Sequence, residues 1–209
     1  LLFIIFINDL NNCVVHSTTH LFADDTSLVY VHDSIKTINK HINHDIKLIN
    51  NWLRANKIAL NASKTKIVLF RSKAKTITKN LNFRVSGQKV EVKKQVKYLG
   101  IILNEHLNWN SHISILKSKL NRAIGMLAKV RHYVTLKTLK NIYFSIFHSH
   151  LIYGSQIWGQ ISHPSLNTTQ NKALRILFFK HARASSNILY FDLKVLKWSK
   201  KNIKKPIVA

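Results

Sequence analysis

Apolar residues change their spacing along the chain, and the spacing predicts the elements. Residues 1–10 are mostly apolar and predict a short helix that stops near Asn11-Asn12. Within 20–31, β-branched and aromatic residues lie on both sides of an acidic pair, which predicts two strands joined by a tight turn. Strands are also predicted at 66–70 and 96–103, and a hairpin at 82–92 with Ser86-Gly87 at its turn.

Spacings of three and four residues predict the helices. Asp33 or Ser34 can cap the first long helix, whose apolar stripe consists of Ile35, Ile38, Ile42, Ile46, Ile49 and Leu53. We expect the 20–31 hairpin to pack on this stripe, and the strands at 66–70 and 96–103 to complete one sheet with it. From residue 112 the period is helical throughout, and 173–179 suggests a third helix there.

Two further stripes mark the helices after residue 112. The first consists of Ile113, Leu116, Leu120, Ile124, Leu127 and Val130, and the second of Leu136, Leu139, Tyr143, Ile146 and His150. The sequence therefore predicts an α+β fold in which a mixed domain, residues 1–105, is followed by a helical bundle, residues 106–209.

The charge of the chain is strongly positive and uneven. Its 209 residues include 33 Lys and Arg against 8 Asp and Glu, for a net charge of +25. Within 106–209 the only acidic residue is Asp192. Such a chain repels itself unless it meets a polyanion, so nucleic acid is the leading partner class. A biased coding composition is the alternative explanation, because Lys far outnumbers Arg and Asn and Ile are frequent.

The composition also excludes several kinds of protein. The single Cys13 rules out a disulfide framework and a Cys-based zinc site. The apolar run at 1–7 is shorter than the roughly 20 residues of a membrane span and lacks the basic start of a signal peptide, so no membrane partner is expected. The twelve histidines show no metal-ligand spacing; His41 and His44 lie three apart on a predicted helix, and we interpret them as part of a solvated face.

The candidate chemistry centres on Asp24 and Asp25. Adjacent carboxylates on a tight turn can hold a hard divalent cation and leave its other positions to water or a substrate phosphate. A solvated turn is the competing interpretation of the dipeptide taken alone.

Five blocks in order resemble the reverse transcriptases of Jockey-type non-LTR retrotransposons. Residues 21–28, Leu-Phe-Ala-Asp-Asp-Thr-Ser-Leu, resemble the (Tyr/Phe)-Ala-Asp-Asp box, motif C of the polymerase palm. The other blocks resemble the segment after motif B, motif D, motif E with the start of the thumb, and the thumb itself; they lie at 1–10, 60–70, 96–113 and 153–176. The resemblance covers about residues 1–180 and implies the C-terminal part of a palm, an antiparallel sheet with packed helices, at 1–105 and an all-α thumb at 106–209.

The resemblance also implies roles for individual residues. Asp24 is expected to be the principal Mg²⁺ ligand, with Asp25 beside it. Lys64 corresponds to the motif D lysine that protonates or neutralises departing pyrophosphate, and Tyr98, Leu99 and Gly100 correspond to the hairpin that grips the primer end. A plain exposed lysine and a buried strand remain the alternatives.

Seven basic residues of the helical half are expected to follow a template–primer backbone, because they alternate with the apolar stripes. A merely solvated face is the alternative for them. They are Lys117, Lys119, Arg122, Lys129, Arg131, Lys137 and Lys140.

The implied reaction is the RNA-templated addition of deoxynucleotides to a DNA primer, assisted by two Mg²⁺ ions, in an element that assembles with its RNA in the cytoplasm and integrates in the nucleus. Only 23 residues precede Asp24, so the motif A aspartate and the fingers are expected upstream of Leu1. Asp9 is the one acid on that side and matches a structural position. The chain by itself is therefore expected to be inactive. The alternatives are a non-catalytic nucleic-acid-binding remnant and an unrelated basic helical binding protein.

Overall fold

The computed structural model describes residues 2–61, 63–75, 83–85, 88–161, 163–195 and 197–198. These residues fall into two compact units. One consists of the residues up to Val96 together with Asn104–His106, and the other of Lys97–Leu103 together with the residues from Leu107 onward. No helix within the described ranges is both long enough and apolar enough to cross a membrane.

The first unit opens with the elements that the sequence predicts. Helix α1 (Leu2–Ile7) continues into a 3₁₀ turn at Asn8–Cys13. The antiparallel hairpin of β1 (Thr18–Phe22) and β2 (Asp25–Val29) precedes helix α2, Ile35–Ala55. The expected short helix, acidic hairpin and long helix are confirmed, in this order.

The apolar stripe of α2 is covered by two hairpins. Near the C-terminal end of the helix, Ile49 and Leu53 are buried, and Leu21 and Leu28 of the first hairpin pack against their cluster. Nearer its N-terminal end, Ile42 packs with residues of a second hairpin, formed by β3 (Phe83–Val85) and β4 (Gln88–Val90). The predicted packing of the first hairpin on α2 is confirmed. The two residues that join β3 and β4 lie outside the described ones.

Two strand predictions are wrong. Among the described residues, the segment 66–70 forms one isolated parallel bridge, Ile67 with Val92, next to which the Lys93 amide donates to the Ile67 carbonyl at 2.8 Å. The segment 96–103 is a hairpin of β5 (Gln95–Tyr98) and β6 (Ile101–Asn104). Instead of one sheet, the described residues form three separate two-stranded sheets.

The second unit is helical apart from its part of the β5–β6 hairpin. Helix α3 spans Asn110–Val130, and a second long helix follows as α4 (Leu136–Ile142), a π-helical turn (Tyr143–His148) and α5 (Ser149–Ile152). The last three helices are α6 (Ser155–Trp158), α7 (Pro164–Leu177) and α8 (Asn187–Leu193). Helix α7 begins well before the predicted 173, and α8 was not predicted from the sequence.

The π-helical turn changes which face of the second long helix is buried. The predicted stripe placed Ile146 and His150 inside, but Phe147 and Leu151 are buried and His150 is exposed. Hydrogen bonds from residue i to i+5 add a residue to the turn, so buried positions here recur at every fourth residue. The stripe of α3 is confirmed from Ile113 to Leu127, and it faces the apolar side of α7 in one core.

Candidate active site and nucleic-acid interface

Asp24 and Asp25 lie at the tip of the β1–β2 hairpin. Phe22 pairs with Asp25, so the turn consists of Ala23 and Asp24 alone. Ala23 has a φ of 52°, in the left-handed region that residues other than glycine rarely adopt. This turn presents two consecutive carboxylates at an exposed end of the first unit.

The two carboxylates have no protein partner in the described part of the chain. Both residues are exposed, and neither carboxylate accepts a hydrogen bond or forms an ion pair there. Adjacent, solvent-facing carboxylate oxygens are the donors that Mg²⁺ prefers, so this pair fits one side of a magnesium site. Among the described residues, no third His, Cys, Asp or Glu lies close enough to complete a set of three with them. The hairpin therefore supplies two ligands of a larger set.

A buried carboxylate on α2 fixes the segment that leads into β1. Asp45 has no exposed surface, and its side chain accepts hydrogen bonds from the backbone amides of Val15 (3.3 Å) and His16 (3.1 Å). Burial favours a higher pKa for Asp45, but donors from these amides and from the side chains of Ser17 and His44 outweigh it and hold the pKa below its usual value. The start of the hairpin is thus tied to α2.

Asp9 is bound to another part of the same unit. The indole Nε1 of Trp52 donates to its Oδ2 at 3.3 Å, which joins the 3₁₀ turn to α2. This contact agrees with the structural role that the sequence analysis gives Asp9.

Lys64 lies in an exposed turn that Asn61 organises. The Lys64 backbone amide donates to the Asn61 carbonyl at 3.1 Å and to its Oδ1 at 3.2 Å, and the Ser63 hydroxyl donates to the same Oδ1 at 2.7 Å. The structure therefore fixes the backbone at this position. The Lys64 side chain forms no ion pair with Asp24 or Asp25 within the described ranges.

Tyr98, Leu99 and Gly100 form the turn of the β5–β6 hairpin rather than the middle of a strand. Leu99 has a φ of 43° and Gly100 a φ of 79°, and positive φ at both central residues is typical of a two-residue hairpin turn. The Tyr153 hydroxyl donates to the Leu99 carbonyl at 2.7 Å. A Cβ at Gly100 would lie 3.1 Å from Cε1 of the Tyr153 ring, so the glycine also makes room for that ring.

The loop after α5 holds the hairpin through a second glycine. Gly154 has a φ of 63°, and a Cβ there would lie 2.5 Å from Cδ1 of Ile101 on β6. The indole Nε1 of the fully buried Trp158 donates to the Tyr153 carbonyl at 2.9 Å, which ties the loop to the core of the second unit. Within the second unit, the Tyr-Gly-Ser-Gln-Ile-Trp-Gly segment at 153–159 is therefore the support of the hairpin turn.

Three of the seven candidate cations line one groove of the second unit. Lys119, Arg122 and Lys129 of α3 lie along a groove of about 640 Å³ whose floor includes Met126 of the same helix. The other wall comes from the long helix opposite, and its lining residues there are Ile146 and His150. Cations around an apolar floor can bind phosphates while the floor contacts sugars or bases.

Lys117 lies on a different surface of α3. It lines a polar recess of about 460 Å³ together with Asn110, Ser114, Asn121 and His163. Positions 117 and 119 are separated by about 200° around a helix with 3.6 residues per turn. Lys117 was predicted to act together with the other cations of α3, and the structure separates it from them.

The remaining three candidates differ in their contacts. The Arg131 guanidinium lies 5.2 Å from the ring centroid of Phe179, and the Lys140 ammonium lies 5.4 Å from that of Phe178. Both cations therefore also hold the end of α7, in addition to any contact with a polyanion. Lys137 is exposed on α4 and lines neither the groove nor the recess.

Two residues of the site were not predicted from the sequence. Asp45 lies at a stripe spacing, three after Ile42 and four before Ile49, and an acid on an apolar face is a signal that could have revealed its buried role. Tyr153 gave no such signal, because nothing local links it to a hairpin 54 residues earlier.

Residues 1–103 match the family "Reverse transcriptase (RNA-dependent DNA polymerase)". The chain is 27% identical over 184 residues to the probable RNA-directed DNA polymerase from transposon X-element of Drosophila melanogaster. The aligned region covers 83% of this chain and 20% of that protein. It is 27% identical over 188 residues to the RNA-directed DNA polymerase from mobile element jockey of the same species, with coverage of 84% and 20%.

A third relative is the Retrovirus-related Pol polyprotein from type-1 retrotransposable element R1 of Bradysia coprophila, 24% identical over 140 residues, with coverage of 66% and 14%. No solved structure matches the chain. The chain thus spans about a fifth of the length of the first two relatives. Its match over residues 1–103 and the shared nature of these relatives identify the chain as a member of the reverse transcriptase family, of the Jockey type found in non-LTR retrotransposons.

Proposed function

We propose that this chain is part of an RNA-directed DNA polymerase of a non-LTR retrotransposon. The parent reaction is the addition of a deoxynucleotide to the 3′-hydroxyl of a DNA primer paired to an RNA template. The observation that carries this proposal is the pair of exposed carboxylates, Asp24 and Asp25, at a hairpin turn inside the family match, with no partner among the residues that the structure describes.

Asp24 and Asp25 would hold Mg²⁺ through their carboxylate oxygens. When bound, two such ions activate the 3′-hydroxyl and stabilise the charge on the departing oxygen. Lys64 would donate a proton to the pyrophosphate or neutralise its charge. The turn of Tyr98, Leu99 and Gly100 would hold the primer end, and the Tyr153 hydroxyl stabilises that turn through its hydrogen bond to the Leu99 carbonyl.

The chain alone is proposed to be inactive. Phosphoryl transfer depends almost entirely on positioning and on charge stabilisation, and two carboxylates cannot hold two ions in place. A further carboxylate and the pocket for the nucleotide would come from a segment of the polymerase outside this chain. In this proposal the first unit is the C-terminal part of a palm, the second unit is the thumb, and the upstream segment of the polyprotein is the partner of both.

Binding of the template–primer duplex is the second proposed function, and it does not need the missing segment. It is supported by the groove lined by Lys119, Arg122 and Lys129, in a half of the chain whose only acid is Asp192. Contacts with phosphates release condensed counterions whatever the base sequence. The affinity is therefore expected to depend on salt far more than on sequence.

A non-catalytic nucleic-acid-binding remnant is the alternative to a part of a working polymerase. It would keep the groove and lose the need for Asp24 and Asp25. Reading the genomic frame upstream of Leu1 separates the two: an open frame with an Asp at motif A supports the polymerase, and an interrupted frame supports the remnant. For a working element we propose assembly with its RNA in the cytoplasm and integration in the nucleus.

One experiment tests both functions. A labelled RNA template annealed to a DNA primer is titrated with the full chain, and in parallel the primer is supplied with deoxynucleotides and Mg²⁺ or Mn²⁺. We expect binding at low salt and no extension. Template-dependent extension that disappears in Asp24→Asn would contradict the proposed inactivity, and no binding at low salt would contradict the proposed groove.

A further inference from the structure

Four histidines converge beside the N-terminal half of α2. The rings of His16 and His41 stack in parallel with their centroids 4.0 Å apart. His44 meets His16 edge-on at 5.1 Å, and His32 meets His41 edge-on at 6.0 Å. The sequence gives no sign of this cluster, because His16 is far from α2 along the chain and approaches it only in the fold.

The buried carboxylate of Asp45 lies at one end of this cluster. The only ion-pair partner that the described residues offer it is His44, whose Nδ1 is 3.6 Å from Oδ1. A buried carboxylate normally has a cationic partner or binds a metal ion. In a chain with a net charge of +25, a buried acid that forms no ion pair with a Lys or Arg of the described residues is unexpected.

We propose that His16, His44 and Asp45 form a binding site for a divalent transition-metal ion of the Zn²⁺ type. Each residue offers one ligand atom, and these atoms lie within 4.8 Å of one another. Two imidazole nitrogens and a carboxylate oxygen are a common ligand set for such ions. They do not suit Mg²⁺, which prefers oxygen ligands alone, so this site differs in chemistry from the Asp24–Asp25 pair.

The spacing of the ligands supports this proposal. Two ligands on one tetrahedral ion, with bonds of 2.0–2.2 Å, lie roughly 3.4 Å apart. The distance between His44 Nδ1 and Asp45 Oδ1 is 3.6 Å, which is too long for a good hydrogen bond. It is close to the separation expected for two ligands of one ion. His16 and His44 are exposed, so their rings can turn toward an ion without disturbing the core, and the fourth position is left to water.

The position of the site suggests its effect. His16 lies two residues before β1, and its backbone amide already donates to Asp45 of α2. An ion held by His16 and His44 would add a second link between α2 and the hairpin that carries Asp24 and Asp25. It would therefore stabilise the folded first unit by binding the native chain only.

The test is a titration of the full chain with Zn²⁺, followed by isothermal calorimetry, with Co²⁺ absorption to report the ligand geometry. Wild type is compared with His16→Gln and His44→Gln, which change exposed side chains and are expected to fold. His20→Gln is the matched control, because His20 is an exposed histidine of β1 outside the cluster. Mutating a residue that only hydrogen-bonds a metal ligand typically lowers metal affinity by about 10–100-fold. Loss of a ligand itself should therefore lower the affinity for Zn²⁺ at least about tenfold relative to the control.

A second measurement uses stability instead of binding. Zn²⁺ should raise the melting temperature of wild type and of His20→Gln, and it should have little effect on His16→Gln or His44→Gln. Equal affinities in all four proteins would mean that scattered surface histidines bind the ion and would overturn the proposal. The absence of a one-to-one binding step in wild type would overturn it as well.

Discussion

The Tyr153 hydroxyl donates a 2.7 Å hydrogen bond to the Leu99 carbonyl, and Gly100 lies against the same tyrosine ring. One side chain therefore satisfies the backbone of a hairpin turn and also covers it. Leu99 has a positive φ that residues other than glycine rarely adopt, and the hydrogen bond from Tyr153 stabilises the turn in this conformation. The turn that we propose to hold the primer end therefore packs against Tyr153, a residue of the helical second unit.

Gly100→Ala should destabilise the second unit. The new methyl group would meet the Tyr153 ring and force a β-carbon into the left-handed region, at a cost of about 1–3 kcal/mol in the free energy of unfolding. Urea denaturation followed by tryptophan fluorescence measures the change. Gly125→Ala is the control: it lies in α3 with nothing within 4 Å of an added Cβ, and it should stabilise by about 0.5–1 kcal/mol. Equal effects at both positions would contradict the packing described for Gly100.

Changing Lys119, Arg122 and Lys129 together to Gln should flatten the dependence of DNA affinity on salt. Each lost phosphate contact removes about 0.9 from the log–log slope on duplex DNA, so three contacts remove about 2.7. Fluorescence anisotropy at several salt concentrations gives the slope. A triple change of Lys66, Lys73 and Lys75, exposed residues of the first unit, removes the same charge and should leave the slope nearly unchanged. If both triple variants behave alike, net charge and not the groove determines binding.

Asp24→Asn should leave the affinity for primer–template unchanged or slightly higher. The substitution removes an exposed negative charge that repels phosphates, and it removes no hydrogen bond within the described part of the chain. The same titration measures the affinity, with circular dichroism to verify the fold. A clear loss of affinity would mean that Asp24 takes part in binding through an ion already present.

Arg131→Gln should affect stability more than binding. The guanidinium lies over the Phe179 ring and its Nε donates to His132 at 3.0 Å, so its loss should cost about 0.5–1 kcal/mol of unfolding free energy. Arg122→Gln, which changes an exposed residue of the groove, should weaken binding with little change in stability. Urea denaturation and anisotropy on both variants separate the two roles, and a reversal of this pattern would contradict the assignment.

The stability of the second unit should fall as the pH drops below about 6.5. Burial lowers the pKa of His148 and His112 below the ordinary value of 6.5, with Lys119 and His163 adding to the effect at His112. Below that value the unfolded chain binds protons that the folded chain does not, so acidification favours unfolding.

Replacing His148 removes one of these groups and supplies the check on the pH prediction. His148→Phe should weaken the pH dependence of the melting temperature, because the ring stays among Tyr143 and Phe144 but no longer titrates. His150→Gln, on the exposed side of the same helix, should leave the dependence intact. Melting temperatures between pH 5 and 7.5 decide the matter, and an unchanged slope in His148→Phe would show that other groups cause it.

Local patterns were enough to predict α2 and the acidic hairpin. The stripe from Ile35 to Leu53 has one period throughout, and the Asp pair interrupts two β-rich runs at the place where the turn forms. The resemblance added what periodicity could not, since only the family motif distinguishes Asp24 and Asp25 from a solvated turn.

Other features depend on distant contacts and could not be predicted in this way. The run 96–103 is apolar on both sides of Leu99 and Gly100, so its pattern predicts one continuous strand. The turn that divides it is stabilised by Tyr153, which lies 54 residues later in the chain. The π-helical turn could not be predicted from the spacing of apolar residues. Its extra residue changes which positions are buried only after Tyr143, so the pattern before it is that of an ordinary α-helix. The histidine cluster likewise needs His16 and α2 to meet.

Two of the strand pairs, β1–β2 and β5–β6, join neighbours along the chain across two-residue turns. Closing so short a loop takes little entropy, and a hairpin of this kind forms within about 1–10 μs. A ribosome needs on the order of seconds to add the residues between the end of β2 and the end of α2. An isolated hairpin is only marginally stable, so the strands around Asp24 and Asp25 can pair repeatedly during synthesis, but they remain paired only after Ile49 and Leu53 have been added and can cover them.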